Sequence, residues 1–387
     1  MKRHLVIILW LLMNHVLLSY SKGRTQEQSL DLTGQVSGWL LSNDRTESPN
    51  QLGMRFIPEM LYDHPVSSNW QFSSNAAINI VETLSFHNLT SPGTDQAVDL
   101  YRLWVRLATR QFEVRAGLQK INFGSALILR PLMWFDRLDP RDPLQLTDGV
   151  YGLLARYYFL SNANLWCWGL YRNENQKGWE IEQTDENHIE YGGRIQYPFA
   201  RGEVGFTYHR RPVVTSHESA SNLPKSVEQR FTESRYAVDT KWDLGIGLWL
   251  ESALIYQDFN QLPYNYQQMS TLGMDYTFEI GNGMHALLEH MRISIADQVF
   301  REQEASSITA MMSDYPLSVM DQFIVIVYYD WENHDAYRFL HWQRLDDDIS
   351  LHIIGFMNPS RNILYNSNVL SNPFSGKGFQ IMIVYNF

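Results

Sequence analysis

The last eleven residues, Lys377 to Phe387, constrain the fold more tightly than any other stretch. Phe379, Ile381, Ile383, Tyr385 and Phe387 take every second position, with Gly378, Gln380, Met382, Val384 and Asn386 between them. A period of two belongs to a strand, because successive strand side chains point to opposite faces. One face is therefore a continuous aromatic and β-branched stripe. Such a face needs an apolar surface to lie against, either the second layer of a soluble sandwich or lipid. The rest of the chain decides between them.

The opening residues predict export. Lys2 and Arg3 precede an apolar run from Leu5 to Met13 that continues past Asn14 and His15 to Leu18, and Ser19 and Ser21 stand at −3 and −1 before Lys22. This is the three-part pattern of a cleaved signal peptide over residues 1–21. The run is shorter than the roughly 20 apolar residues that span a bilayer. No Cys follows it, which argues against a lipid anchor. The chain from Lys22 then has 387 − 21 = 366 residues, and its net charge becomes −11 − 2 = −13. That balance argues against a nucleic-acid partner, whose phosphates call for a basic surface.

Beyond the leader no apolar segment is long enough for a spanning helix, and mean hydropathy is −0.30. A helical membrane protein is excluded. A barrel is not, because lumen-facing and lipid-facing residues alternate and cancel in any window. The 12 Trp, 21 Tyr and 19 Phe are the residues that build girdles at membrane interfaces. Cys167 is alone, which rules out an intrachain disulfide and suits a small residue on a lipid-facing strand.

From about Leu30 onward the chain breaks into alternating segments. Tyr101, Leu103, Val105 and Leu107 alternate with Arg102, Trp104, Arg106 and Ala108. Phe112, Val114, Ala116 and Leu118 alternate with Glu113, Arg115, Gly117 and Gln119, and Tyr191, Ile195 and Tyr197 oppose Glu190, Arg194 and Gln196. These segments run roughly nine to fourteen residues, near the ~9–11 of a tilted transmembrane strand and beyond the five or six usual in sandwiches. Only a closed sheet leaves no unpaired edge in lipid. The predicted fold is all-β: a single transmembrane antiparallel barrel over residues 22–387. Its strand number must be even. Counting Ser306–Asp314 as a weak strand turned at Tyr315–Ser318 gives about eighteen strands, with sixteen as the alternative. Short turns are expected near Thr109–Gln111, Leu160–Asn162, Phe199–Arg201, Asp243 and Gly281–Gly283. Long connections are expected at Asn122–Asp148, Asn173–Asn187, Arg211–Gln229 and Phe259–Tyr264.

The terminal stripe ending on Phe387 resembles the closing strand of bacterial outer-membrane β-barrels, in which that pattern is read by the barrel-assembly machinery. The resemblance makes Phe379, Ile381, Ile383, Tyr385 and Phe387 an assembly signal. A second resemblance spans Arg115–Gly124, Trp134–Pro143 and Gly149–Gly152. A strand ending in G-x-Q-x-I-x-x-G and a loop carrying F-D-x-x-D-P-x-D-P resemble porin-type families that include alginate-export-like barrels. Those families commonly carry Trp where Phe123 stands and Arg where Leu118 stands.

His217 and Ser219 loosely match the His and Ser of outer-membrane phospholipases, but Ala220 stands where Asn is needed, and a mobile loop offers no rigid scaffold. For metals, no His-x-His puts two ligands on one strand face, and His285 and His290 face opposite ways. Asp136, Asp139 and Asp142 could reach calcium, though a solvated loop stiffened by Pro140 and Pro143 accounts for them. No enzyme, cofactor or resident metal is expected.

What remains is the lumen. Arg102, Arg106 and Arg115 project inward, either as a charged pore wall or satisfied by Glu113. The connection 122–148 is too apolar at Leu127, Ile128, Leu129, Leu132, Met133, Trp134 and Phe135 to stay in water. It is expected to fold inward as a constriction, with Trp134, Asp136, Asp139 and Asp142 facing the arginines. The function these readings imply is an outer-membrane channel for passive or weakly selective diffusion of small hydrophilic solutes, its partners being that solute, outer-membrane lipid and the assembly machinery. The alternatives are a barrel enzyme acting on lipid or peptide, and a non-conducting structural or surface-assembly barrel. The sequence leaves open the solute, its charge and the oligomeric state.

Overall fold

The computed structural model describes residues 29–44, 50–86, 93–214, 230–258, 264–359 and 374–387. The expected signal peptide and the pair His217 and Ser219 lie outside them. The strands are β1 (Ser29–Asn43), β2 (Asn50–Pro65), β3 (Gln71–Phe86), β4 (Gly93–Ala108), β5 (Phe112–Gln119), β6 (Val150–Tyr158), β7 (Asn164–Leu170), β8 (Gln183–Thr184), β9 (Glu190–Phe199) and β10 (Gly202–Val214). They continue as β11 (Arg230–Asp243), β12 (Gly247–Asp258), β13 (Tyr266–Phe278), β14 (Met284–Ala296), β15 (Glu304–Pro316), β16 (Asp321–Asp330), β17 (Asp335–Asp346), β18 (Ile349–Asn358) and β19 (Gly376–Asn386).

Each long strand pairs antiparallel with its neighbours, and β1 pairs with β19 to close the sheet. The two-residue β8 pairs with Val213 and Val214 of β10, in line with β9, so the two share one place in the wall. The result is a closed eighteen-strand antiparallel barrel. The weak segment is a full strand, β15. Short turns lie at one end, helped by left-handed residues such as Asn162, Arg201, Gly245 and Asp347. The described longer connections, 120–149 and 171–189, lie toward the other end.

The pleat sorts the two faces as the alternation requires. On β19, Phe379, Ile381 and Ile383 are 45%, 37% and 54% exposed on the outside of the barrel, whereas Gln380, Met382 and Val384 are 6%, 4% and 1% exposed on the inside. Cys167 is exposed and free. One residue departs from the sequence reading. Arg102 pairs with Ala77 and Leu100 with Ile78, so Tyr101 is an extra residue at a register shift. A bulge breaks the period of two. Tyr101 leaves the lipid-facing set of Leu103, Val105 and Leu107 and lines an interior cavity instead.

Candidate pore and its inward loop

The connection 120–149 leaves β5 and returns to β6, yet it is bonded to β12, β13 and β14 on the far wall. Two wall carboxylates hold it there. Glu251 of β12 accepts from the amides of Ser125 (2.8 Å), Ala126 (2.9 Å) and Leu132 (2.6 Å). Glu289 of β14 accepts from Leu127 (2.7 Å), Ile128 (3.0 Å) and Leu129 (2.5 Å), and from the Trp249 indole (3.0 Å). Thr271 of β13 donates to the Leu129 carbonyl at 2.7 Å. Buried amides and carboxylates are costly unless paired, and charge-assisted bonds are the strong ones. Here each group satisfies the other. Gly124 permits the approach: its φ is +104°, and a Cβ there would meet the Glu251 carboxylate.

Apolar residues complete the docking. Ala126, Ile128 and Leu129 join a cluster with Trp249, Leu287 and Met291. Phe123, Leu132, Trp134 and Phe135 join another with Leu154, Trp168 and Ile255, and Phe123 stacks on Trp168 at 5.8 Å. The connection 171–189 packs on top of this. Trp179 donates to the Arg130 carbonyl at 2.9 Å, and Glu180 pairs with Arg235 at 2.7 Å and Arg211 at 3.3 Å. Arg211 also binds Glu233 at 2.7 Å, so the connection 171–189 is tied to the wall by a buried ionic network.

The predicted loop acids do not face the arginines. Asp136 pairs with Arg130 at 3.2 Å and Asp139 with Arg141 at 2.7 Å, both within the loop, while Asp142 accepts from the Leu144 amide at 3.0 Å. Trp134 is buried edge-on to Phe123. Burial pushes the carboxyls of Asp136 and Asp142 above the usual range, against the pull of Arg130 on the first and of the Leu144 amide and Arg55 on the second. Burial likewise lowers the Lys177 ammonium, with Glu180 opposing it.

The wall arginines are brought together. Glu113 pairs with Arg106 at 2.9 Å, Arg115 at 3.3 Å and Arg156 at 3.7 Å. Three guanidiniums share one carboxylate, leaving two positive charges in excess. Arg115 lies over Trp104 (4.6 Å) and Arg156 over Trp166 (3.8 Å), while Arg102 lies over Tyr101 (3.9 Å) and donates to the Thr147 carbonyl (2.8 Å). The Nε groups of Arg55, Arg106, Arg115 and Arg156 are buried and have no acceptor among the described residues. A cavity of about 530 Å³ opens at the short-turn end, lined by Gln35, Glu59, Tyr101, Leu146, Asp348 and Phe387 among others.

Sequence reasoning missed Arg156, Arg130, Glu251 and Glu289. Glu289 shares its strand with His285, His290 and Arg292 and is not marked out, but the signal for Glu251 is present: it is an acid at an inward position of a largely apolar run, Leu248-Trp-Leu-Glu251-Ser-Ala-Leu254. Such an acid demands a partner, and its identity comes only from the fold.

No protein-family model matches the sequence, and comparison with curated proteins gives no match. Solved structures do match. OmpF of Salmonella typhi, in complex with daunomycin, is 12% identical over 95% of this chain and 100% of that one, with a TM-score of 0.51. OccK5 of Pseudomonas aeruginosa is 11% identical over 95% and 99%, with a TM-score of 0.56. OccAB4 of Acinetobacter baumannii is 10% identical over 94% and 99%, also at 0.56. These bacterial outer-membrane porins share the closed barrel, and at such identities the likeness is one of fold.

Proposed function

We propose that this chain, a closed barrel with the fold of bacterial outer-membrane porins, is an outer-membrane channel for the diffusion of small hydrophilic solutes. The observation that carries the reading is the inward loop, whose amides are spent on Glu251 and Glu289 of the far wall rather than on solvent. A loop held across a lumen sets the calibre of whatever passes beside it. Eighteen strands enclose more space than side chains alone fill. On the wall formed by β4 to β6, the excess charge of Arg106, Arg115 and Arg156 over Glu113 favours anionic solutes. Lipid surrounds the barrel, and the terminal stripe serves its assembly.

A second reading has its own observation. The two loops and the wall pack so closely around Met133, Trp134, Trp179 and Ile255 that only about 10 Å³ is free there. A barrel plugged throughout would be structural and non-conducting. Planar-bilayer recording of the refolded chain from Lys22 separates the two. The channel reading expects discrete conductance steps, raised by removing Leu127–Pro143. A deletion variant that folds but conducts no more than its parent would defeat the constriction, and a silent parent would defeat the channel.

A further inference from the structure

A line of inward polar side chains runs along the wall from β13 to β18, away from the arginines. His285 lies between two acids, its Nδ1 at 2.8 Å from Asp314 and its Nε2 at 3.3 Å from Asp275. Gln322 donates to Asp314 at 3.0 Å, and Gln343 donates to Gln322 at 2.5 Å. The line then reaches His341 and His352, which are arranged differently. His341 Nε2 is 3.1 Å from His352 Nδ1, and His352 Nε2 is 2.8 Å from Ser350 Oγ. Among the described residues no carboxylate bonds either ring. The ring centroids are 5.2 Å apart and the planes 34° apart, with His352 buried and His341 half-buried.

We propose that His341 and His352 form a two-imidazole site on the pore wall for a divalent transition-metal ion of the copper, nickel and zinc class. Register explains why spacing along one strand does not reveal it. Gln343 pairs with His352 and His341 with Ile354, so the two histidines are diagonal neighbours on one face of β17 and β18. The Ser350 hydroxyl can accept from His352 Nε2, and in that tautomer the Nδ1 lone pair of His352 is turned toward His341. A second ring nitrogen held by a neighbour is the arrangement that orients metal-bound histidines. With metal–nitrogen bonds of roughly 2.0–2.1 Å, nitrogens at this separation subtend about 100° at a shared ion. On metal binding His341 shifts its hydrogen from Nε2 to Nδ1, and a rotation of each ring off the N···N line then aims the two lone pairs at that point.

The donors define the ion. Imidazole suits copper, nickel and zinc, whereas calcium and magnesium require oxygen. Two protein ligands leave the other positions to water or to a passing solute, so the ion is exchangeable. Register also places Met382 beside His352, and a thioether there favours copper. A hydrolytic role for Ser350, His352 and His341 fits less well. Their strands are paired on both sides, so the backbone N–H groups serve the ladder rather than an oxyanion.

The site deepens the channel reading, since an ion there lies beside the solute's path, but binding does not require conduction. The test titrates the refolded chain from Lys22 in detergent with Cu²⁺ alone, followed by electron paramagnetic resonance and calorimetry. A bound ion with two nitrogen ligands is expected, undisturbed by excess Ca²⁺. His341→Ala and His352→Ala should abolish it, and Ser350→Ala should weaken it by about 10–100-fold. Heat-modifiability of each variant checks that its barrel has formed. In bilayers, Zn²⁺ should reduce the current of the parent and spare that of His352→Ala. A Cu²⁺ signal without two nitrogens, or one unchanged in folded His352→Ala, would overturn the site and leave the histidines a hydrogen-bonded pair. Binding through both rings in a chain that never conducts would uphold the site and overturn the channel.

Discussion

At the scale of single residues, two wall glutamates do what the loop's own sequence cannot. Glu289 takes three consecutive amides and an indole, so Glu289→Ala leaves all four donors without their acceptor. Each unsatisfied buried donor costs about 1–3 kcal/mol, enough together to release that part of the loop while the barrel ladder stays intact. The expected outcome is a larger, noisier single-channel conductance and protease cleavage near Leu127. Unchanged traces with an uncut loop would show that Glu251, Thr271 and apolar packing seat it without Glu289. Across the lumen, Arg106→Ala removes one of three cations around Glu113. Reversal potentials in a salt gradient should shift toward cation preference, and an unchanged potential would mean that Arg106 does not act on the permeating ions.

At the scale of elements, the strands were legible because alternation is a local property: Leu103, Val105 and Leu107 announce their face without knowledge of any neighbour. The Tyr101 bulge was not, because an extra residue shows only against the partner strand Ala77–Ile78. The inward course of 122–148 could be read from its apolar content. Its docking on Glu251 and Glu289 could not, because those contacts join residues more than a hundred positions apart. Sequence reasoning sets Asp136 and Asp139 against the wall arginines, but the loop's own Arg130 and Arg141, six and two positions away, neutralise them. Facing on β4 is directly testable. Val105 is 48% exposed on the outside, and Trp104 lies inside beneath Arg115. Arg on a lipid face near the midplane costs roughly 2–4 kcal/mol. Val105→Arg should therefore lower the denaturant midpoint in lipid well below that of Trp104→Arg, and the reverse order would place the register one residue off.

At the scale of the whole molecule, the barrel exists only if its first and last strands meet. Nine register pairs join β1 to β19, from Gln35↔Asn386 to Asn43↔Gly378. Phe387 extends the seam by one more step. Its amide donates to the Gly34 carbonyl at 3.0 Å, and the Gly34 amide donates back to its carbonyl at 2.9 Å. The Phe387 ring stacks on Phe56 at 6.2 Å and lies where a side chain at position 34 would stand, so Gly34 is the residue that admits it. Removing Phe387 therefore deletes two backbone bonds and an aromatic contact at the point where the sheet closes, and also the end of the stripe that resembles an assembly signal. Gln380→Ala changes the same strand on its inner face and leaves the seam intact. In cells the deletion should yield far less heat-modifiable, protease-resistant barrel than Gln380→Ala. Refolding both purified chains into detergent then divides the causes. If the deletion variant refolds well there but fails in cells, Phe387 acts as a recognition signal. If it fails in both, its work is closure. Equal yields of the two variants everywhere would show that nine register pairs suffice and that the terminal phenylalanine does neither.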